Sequence, residues 1–165
     1  EVLGTNMTSA LSTFNAEGGI TLTTAGADGD QAILAPHLDA NQSAWTQVTW
    51  GTDREVWWHC WFETGASIAN AIICAGLTRS SSTTDAAVTT VSGITGAAST
   101  KYSFAIKSNA QREAEVFING QMLRRTSALT DAIDLIPYLG VEADGAAAAK
   151  AITVRGQHIS RLYGA

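Results

Sequence analysis

His37, His59 and His158 are the side chains of this sequence best suited to exchange a proton near neutral pH. Their spacing fits no metal-ligand pattern with Cys or Asp. His59 stands between Trp57 and Trp61, where a packed, hydrogen-bonded imidazole is the simplest reading. A Ser-His-Asp site can be assembled from distant residues, but the chain has no G-x-S-x-G elbow. Glu113 and Glu115 would share one face of a strand. They could act as paired carboxylates or simply lie on a solvated surface. Asp28 and Asp30 flank a glycine, as in some calcium loops. The full EF-hand pattern is missing, however, and Asp-Gly is ordinary turn chemistry. From these residues no catalytic, cofactor or metal site is expected, and the chain reads as a non-enzyme.

The tryptophans are the remaining candidates. Trp45, Trp50, Trp57 and Trp61 could stack on sugar rings as a glycan platform. They could equally anchor a protein–protein interface, where Trp and Arg dominate the binding energy, or fill a core. Arg124 and Arg125 form the densest basic spot and are candidate polar contacts. Adjacent strand residues point to opposite faces, so the two cannot act together on one surface.

These residues must be positioned by a single domain. The chain has 165 residues, is 45% hydrophobic and only 15% charged, with a net charge of −5. The charged share is below the usual value of about 25%, which suits a protein packed against neighbours. Without a basic stripe, direct nucleic-acid binding is not expected. No stretch reaches the ~18 apolar residues of a membrane span, and no signal peptide is visible. The first residue is Glu1 rather than Met, so either the N-terminus is processed or the chain is part of a longer product. Cys60 and Cys74 read as two buried free thiols, with a bridge between adjacent strands as the alternative.

The elements are mostly strands. Residues 1–17 are weakly patterned and read as an N-terminal arm or extension, with Thr5 or Thr8 able to cap a short helix. Residues 18–165 read as one β domain. Strands are expected at Ile20–Thr24, Gln31–Leu34, Ala44–Trp50 and Glu55–Glu63. In the last of these, Val56, Trp58, Cys60 and Phe62 share one face and Trp57, His59 and Trp61 the other. Both faces are apolar or aromatic, whereas a sandwich strand normally has one polar face. The second face is therefore core under a loop, a subunit interface or a ligand platform. Ile68–Leu77 is also apolar on both faces and reads as central in its sheet. Residues 79–96 read as a long loop or weak edge strand. Lys101–Lys107 alternates cleanly, and Glu113–Arg125 is a hairpin turning at Asn119-Gly120, the preferred type I′ pair. Leu129–Leu135 could hold a helical turn, and Ile136–Val141 is a strand with Pro137 near its start. In the closing strand, Ala151–Tyr163, a one-residue bulge at Gly156 would return Ile159 to the core face. Many short strands and no long helix predict an all-β, antiparallel sandwich or jelly roll.

Two segments carry a family likeness. Residues 102–106 (YSFAI) followed by 115–123 (EVFINGQML) resemble the back-sheet hairpin of concanavalin A-like (laminin G-like) jelly rolls. Over most of the chain, residues 19–56 and 128–161 together with the Asn119-Gly120 hairpin look like virion structural proteins of tailed phages, notably marine ones. The resemblance implies a concanavalin A-like, lectin-type jelly roll within the particle. Glucanases of this fold carry an E-x-D-x-x-E strand, and Glu113-Ala114-Glu115-Val116-Phe117-Ile118 departs from it at the middle and last acids. The metal-bound Asp/Asn cluster of legume-type lectins has no counterpart, and the stretch between Thr78 and Thr100 is short for the family.

The function expected from this resemblance is capsid decoration. The chain would sit on the outer capsid surface as a homo-oligomer, a trimer, and clamp neighbouring copies of the major capsid protein. The alternative is a tail-fibre or spike domain that binds host-surface glycans. No cofactor, nucleic acid or membrane partner is expected.

Overall fold

A computed structural model describes residues 2–35, 49–50, 55–78, 96–129, 133–134, 136–145 and 148–162. The strands are β1 (Val2–Leu3), β2 (Ser12–Phe14), β3 (Ile20–Thr23), β4 (Gln31–Leu34), β5 (Thr49–Trp50), β6 (Val56–Thr64) and β7 (Ala71–Thr78). They continue with β8 (Lys101–Ser108), β9 (Glu113–Ile118), β10 (Gln121–Ala128), β11 (Ile133–Asp134), β12 (Ile136–Ala143) and β13 (Ala151–Arg161). Among the described residues a single 3-10 turn, Ser9–Leu11, follows Thr8. The strands form a seven-stranded sheet ordered β10-β9-β8-β6-β13-β3-β2, a four-stranded sheet ordered β1-β4-β12-β7, and the pair β11-β5. Their pairings are antiparallel.

The core lies between the two large sheets because each turns its alternate apolar side chains inward. From the seven-stranded sheet come Leu22, Val56, Trp58, Cys60, Phe62, Phe104, Ile106, Ile152 and Val154; from the four-stranded sheet come Ala32, Leu34, Ala75, Leu139 and Val141. Trp58 meets Phe104 edge-on and Phe62 stacks on Tyr102. Cys60 and Cys74 are both buried and free, and burial pushes each thiol up to about 12.

Two turns and one irregularity set the register. Asn119 and Gly120 have φ of 49° and 78°, the left-handed pair that a type I′ hairpin needs, and they join β9 to β10 as the sequence predicts. In β13 the pairing with β6 shifts by one residue between Val154 and Gly156. The bulge expected at Gly156 is therefore present, and it returns Ile159 to the core side opposite Trp58.

Other expectations need correction. The N-terminal stretch read as an arm supplies strands: β1 pairs β4 and β2 pairs β3. Its weak pattern reflects its place at the ends of the two sheets, where few neighbours constrain it. β7, read as central, ends the four-stranded sheet among the described strands. Its second apolar face is explained by a separate small cluster, Ile33, Cys74 and Tyr138. Gly140 makes room for that cluster, since a Cβ there would come within 2.8 Å of Ile33 Cγ1 and 3.1 Å of Cys74 Sγ. Within Leu129–Leu135, where a helical turn was expected, Ile133 and Asp134 instead pair with Trp50 and Thr49, and residues 130–132 and 135 lie outside the described residues. Residues 79–95, read as a long loop, and residues 44–48 of the expected strand lie outside the described residues.

Candidate functional site

The outer face of the seven-stranded sheet is built on β6. Its odd-numbered residues Trp57, His59, Trp61 and Glu63 point away from the core, while their even neighbours are buried. Register brings Lys107, Ala105, Ser103 and Lys101 of β8 beside them on one side. On the other side β13 places Ser160 beside Trp57, His158 beside His59, Gly156 beside Trp61 and Thr153 beside Glu63. Phe117 and Glu115 of β9 extend the same face. Two exposed tryptophans four residues apart on a strand stand about 13 Å from one another along it.

Trp61 is 42% exposed and Trp57 36%. Neither indole is therefore enclosed by the described residues. Their surroundings differ. Trp57 stacks on Phe117 with centroids 5.8 Å apart, and Lys107 Nζ sits 5.2 Å from its ring centre. Trp61 touches the His59 ring at 4.1 Å and opens onto a groove of about 510 Å³. The groove is lined by Trp61, Glu17, Lys101, Ser103, Asn119 and Arg155 among others. Asn119, the hairpin residue, is held there by exchanging backbone and side-chain hydrogen bonds with Ser103.

The β13 bulge positions the groove's central cation. Arg155 is the extra residue, so it and Gly156 both lie toward the outer face. Its NH2 donates to Glu63 Oε2 at 2.6 Å and to Glu17 Oε2 at 3.4 Å. Its NH1 donates to the Gly18 carbonyl at 2.6 Å and to Asn15 Oδ1 at 3.2 Å. The guanidinium in turn holds the Glu63 carboxyl below its usual range. His59 titrates below its usual range as well, first because burial disfavours the imidazolium and second because His158 faces it. Both effects favour the neutral imidazole. Among the described residues, no three His, Cys, Asp or Glu side chains gather as a metal site.

The sequence-derived candidates thus separate. Trp57, His59 and Trp61 stand together on the outer face, as expected from their parity. Trp50 lies on β5, paired with Ile133 in the two-stranded unit rather than in this sheet. Trp45 and His37 lie outside the described residues. Arg125 joins the outer face opposite Glu115, while Arg124 is opposite Val116, which packs on the core side. The two arginines do point to opposite faces. Glu113 and Glu115 are engaged by Arg125 and Asn109, so neither is poised as a free carboxylate. His158, Arg155, Glu63, Lys101 and Phe117 were not foreseen as site residues. The bulge at Gly156 was the available signal for the first two, because it sets which β13 residues face outward.

No family model matches the chain, and no curated relative matches it in sequence. Solved structures do match in fold. The family 7 polysaccharide lyase AlgAT5, an alginate lyase, superposes with a TM-score of 0.63 at 8% identity, covering 94% of this chain and 84% of that one. The alginate lyase PA1167 from Pseudomonas aeruginosa gives 0.60 at 13% identity, covering 94% and 88%. The carbohydrate recognition domain of Emp46p, in a potassium-bound form, gives 0.56 at 4% identity, covering 90% and 85%. At such identities the likeness is one of fold: an antiparallel β-sandwich of the jelly-roll, concanavalin A-like type.

The comparisons correct the reading of the chain as a non-enzyme. Alginate lyases share this architecture over nearly its whole length. The motifs sought in the sequence, a nucleophile elbow and paired acids, are hydrolase patterns. Their absence says nothing about a lyase, so it gives no ground for excluding catalysis on this fold.

Proposed function

We propose that this chain is a glycan-binding jelly-roll domain, with the outer face of the seven-stranded sheet holding a saccharide chain and Trp61 as its principal stacking platform. The observation that carries the reading is the half-exposed Trp61 indole opening onto a groove rimmed by Ser103, Asn119, Lys101 and Arg155. Pockets that orient ligands combine an apolar surface with a few placed polar groups, and an indole presents a flat apolar face to the C–H side of a sugar ring. That polysaccharide lyases and a carbohydrate recognition domain share the fold supports the reading. A place for this domain at a tail fibre or spike of a tailed-phage particle is part of the proposal and rests on the sequence resemblance alone.

A glycan array followed by affinity gel electrophoresis tests it. The native chain should be retarded by at least one polysaccharide, and Trp61→Ala should bind about 30-fold more weakly, as loss of a ~2 kcal/mol hot-spot contact requires. Incubation with the retarding polymer, followed by ultraviolet absorbance for an unsaturated product, distinguishes a lyase from a binding domain. Failure of the native chain to bind any glycan would sink the proposal.

A second reading, capsid decoration, is supported by a separate observation. Phe14 on β2 is 92% exposed, and Met122 and Leu123 on β10 are 49% and 44% exposed. These apolar side chains sit on the two end strands of the seven-stranded sheet, where the major capsid protein or another copy in a trimer would cover them. Copy number in purified particles separates the readings: hundreds of copies support decoration of the outer capsid, and about a dozen support the tail.

A further inference from the structure

Resting on the glycan-binding proposal, we infer that the saccharide held on this face is uncharged, in contrast to the uronate polymer cleaved by the alginate lyases that share the fold. Among the described residues, three of the four cations of the face are already engaged in ion pairs. A carboxylated sugar laid against a protein surface loses water from its charge, and it needs a free donor in return. Arg155 is the cation best placed in the groove, but its two terminal nitrogens already serve four acceptors: Glu63, Glu17, Asn15 and the Gly18 carbonyl. Its Nε is buried, without a partner among the described residues, and so is not open to a ligand on the surface. Lys107 is 2.9 Å from Glu55 and lies over the Trp57 ring. Arg125 is 2.6 Å from Glu115 and 3.7 Å from Glu113. Lys101 stands directly opposite Glu63 in the β6–β8 register.

Among the described residues, therefore, the four cations of the face, Lys101, Lys107, Arg125 and Arg155, are matched or outnumbered by the five carboxylates they meet, of Glu17, Glu55, Glu63, Glu113 and Glu115. An acidic polymer would have to break one of these pairs or sit against excess negative charge, on a chain whose net charge is already −5. What remains available is an indole face with neutral polar neighbours, Ser103 and Asn119, the imidazole of His59, and Lys101, whose charge is set against Glu63 across the strands. Such a surface selects by stacking and hydrogen bonding rather than by charge.

The test uses the whole chain and defined polymers: a neutral β-glucan, a galactomannan and dextran against alginate and polygalacturonate. Each is titrated at low salt and at about 0.5 M salt, where screening is nearly complete beyond a few ångströms. The inference expects binding to at least one neutral polymer, altered less than about twofold by salt, and no binding of the acidic polymers at low salt. Preference for alginate or polygalacturonate, weakened by salt, would overturn the inference and leave the glycan-binding reading standing. Binding of neither class would overturn both. A gain-of-function variant probes the cause: Glu17→Gln with Glu63→Gln releases the Arg155 donors and should confer binding of alginate at low salt. If this folded variant still ignores alginate, the pairing of Arg155 is not what excludes the anion.

Discussion

Trp58 and Trp61 lie three residues apart on β6, yet truncating them should have opposite consequences. Trp58 is fully buried, meets Phe104 with ring centroids 5.7 Å apart, and donates from Nε1 to Gln157 Oε1 at 3.3 Å. Removing a buried aromatic of this size costs about 3–5 kcal/mol, through lost transfer energy and the cavity left behind. For a domain of this length each kcal/mol moves the melting temperature by about 2–4 °C, so Trp58→Ala should melt about 6–20 °C lower. Trp61 faces the other way. Its truncation removes the contact with the His59 ring but opens no interior cavity, so the cost should stay within about 1 kcal/mol and the shift within about 4 °C. Differential scanning calorimetry of both variants, with circular dichroism to confirm the β-sheet signal, reads these values. Should Trp61→Ala melt as low as Trp58→Ala, the outer face of β6 is part of a packed interior, and the site built on it is refuted.

Three further outcomes follow from the same geometry. Because His59 is held below its usual 6.5 by burial and by His158, the unfolded chain binds the proton more readily. Stability should thus fall as pH drops from about 6.5 through the lower folded value; His59→Gln should flatten that part of a denaturant-midpoint profile, and an unchanged profile would contradict the assignment. With both thiols raised to about 12, a disulfide-exchange reagent at neutral pH should label neither Cys60 nor Cys74 in the native chain and both after denaturation, since only the thiolate attacks. Gly120 has φ of 78° and open space around a would-be Cβ, so Gly120→Ala should cost about 1–2 kcal/mol of backbone strain alone; an unaltered melting temperature would mean that the hairpin turns by another route.

Local pattern carried much of this architecture. The Asn119-Gly120 turn, the parity of β6 and the Gly156 bulge are each decided by a few adjacent residues, and each is found in place. What depends on strands distant in sequence was not visible. The pairing of His158 with His59 joins residues 99 positions apart, and it exists only because β13 lies next to β6. The same adjacency brings Arg155 to Glu63, which makes the groove, whereas the sequence shows only an isolated basic residue in a late strand. The place of β7 at the end of its sheet among the described strands has a related cause. An apolar run on both faces signals cover on both sides, but it cannot distinguish a central strand from an end strand whose outer face joins a separate cluster. The short strand at Ile133–Asp134 exists through its pairing with Thr49–Trp50, and nothing local announces it. The non-enzyme reading failed for a different reason: it searched for hydrolase chemistry on a fold that lyases also use.

The most direct test of the central claim is to locate the glycan on the molecule. Fluorine NMR on protein carrying fluorotryptophan gives each of the five tryptophans its own resonance, assigned by single Trp→Phe variants. On titration with the polysaccharide that retards the chain in affinity gels, the Trp61 resonance should shift most, Trp57 less, and the buried Trp58 hardly at all. A glycan that binds while leaving the Trp57 and Trp61 resonances unmoved would place its site elsewhere and contradict the account.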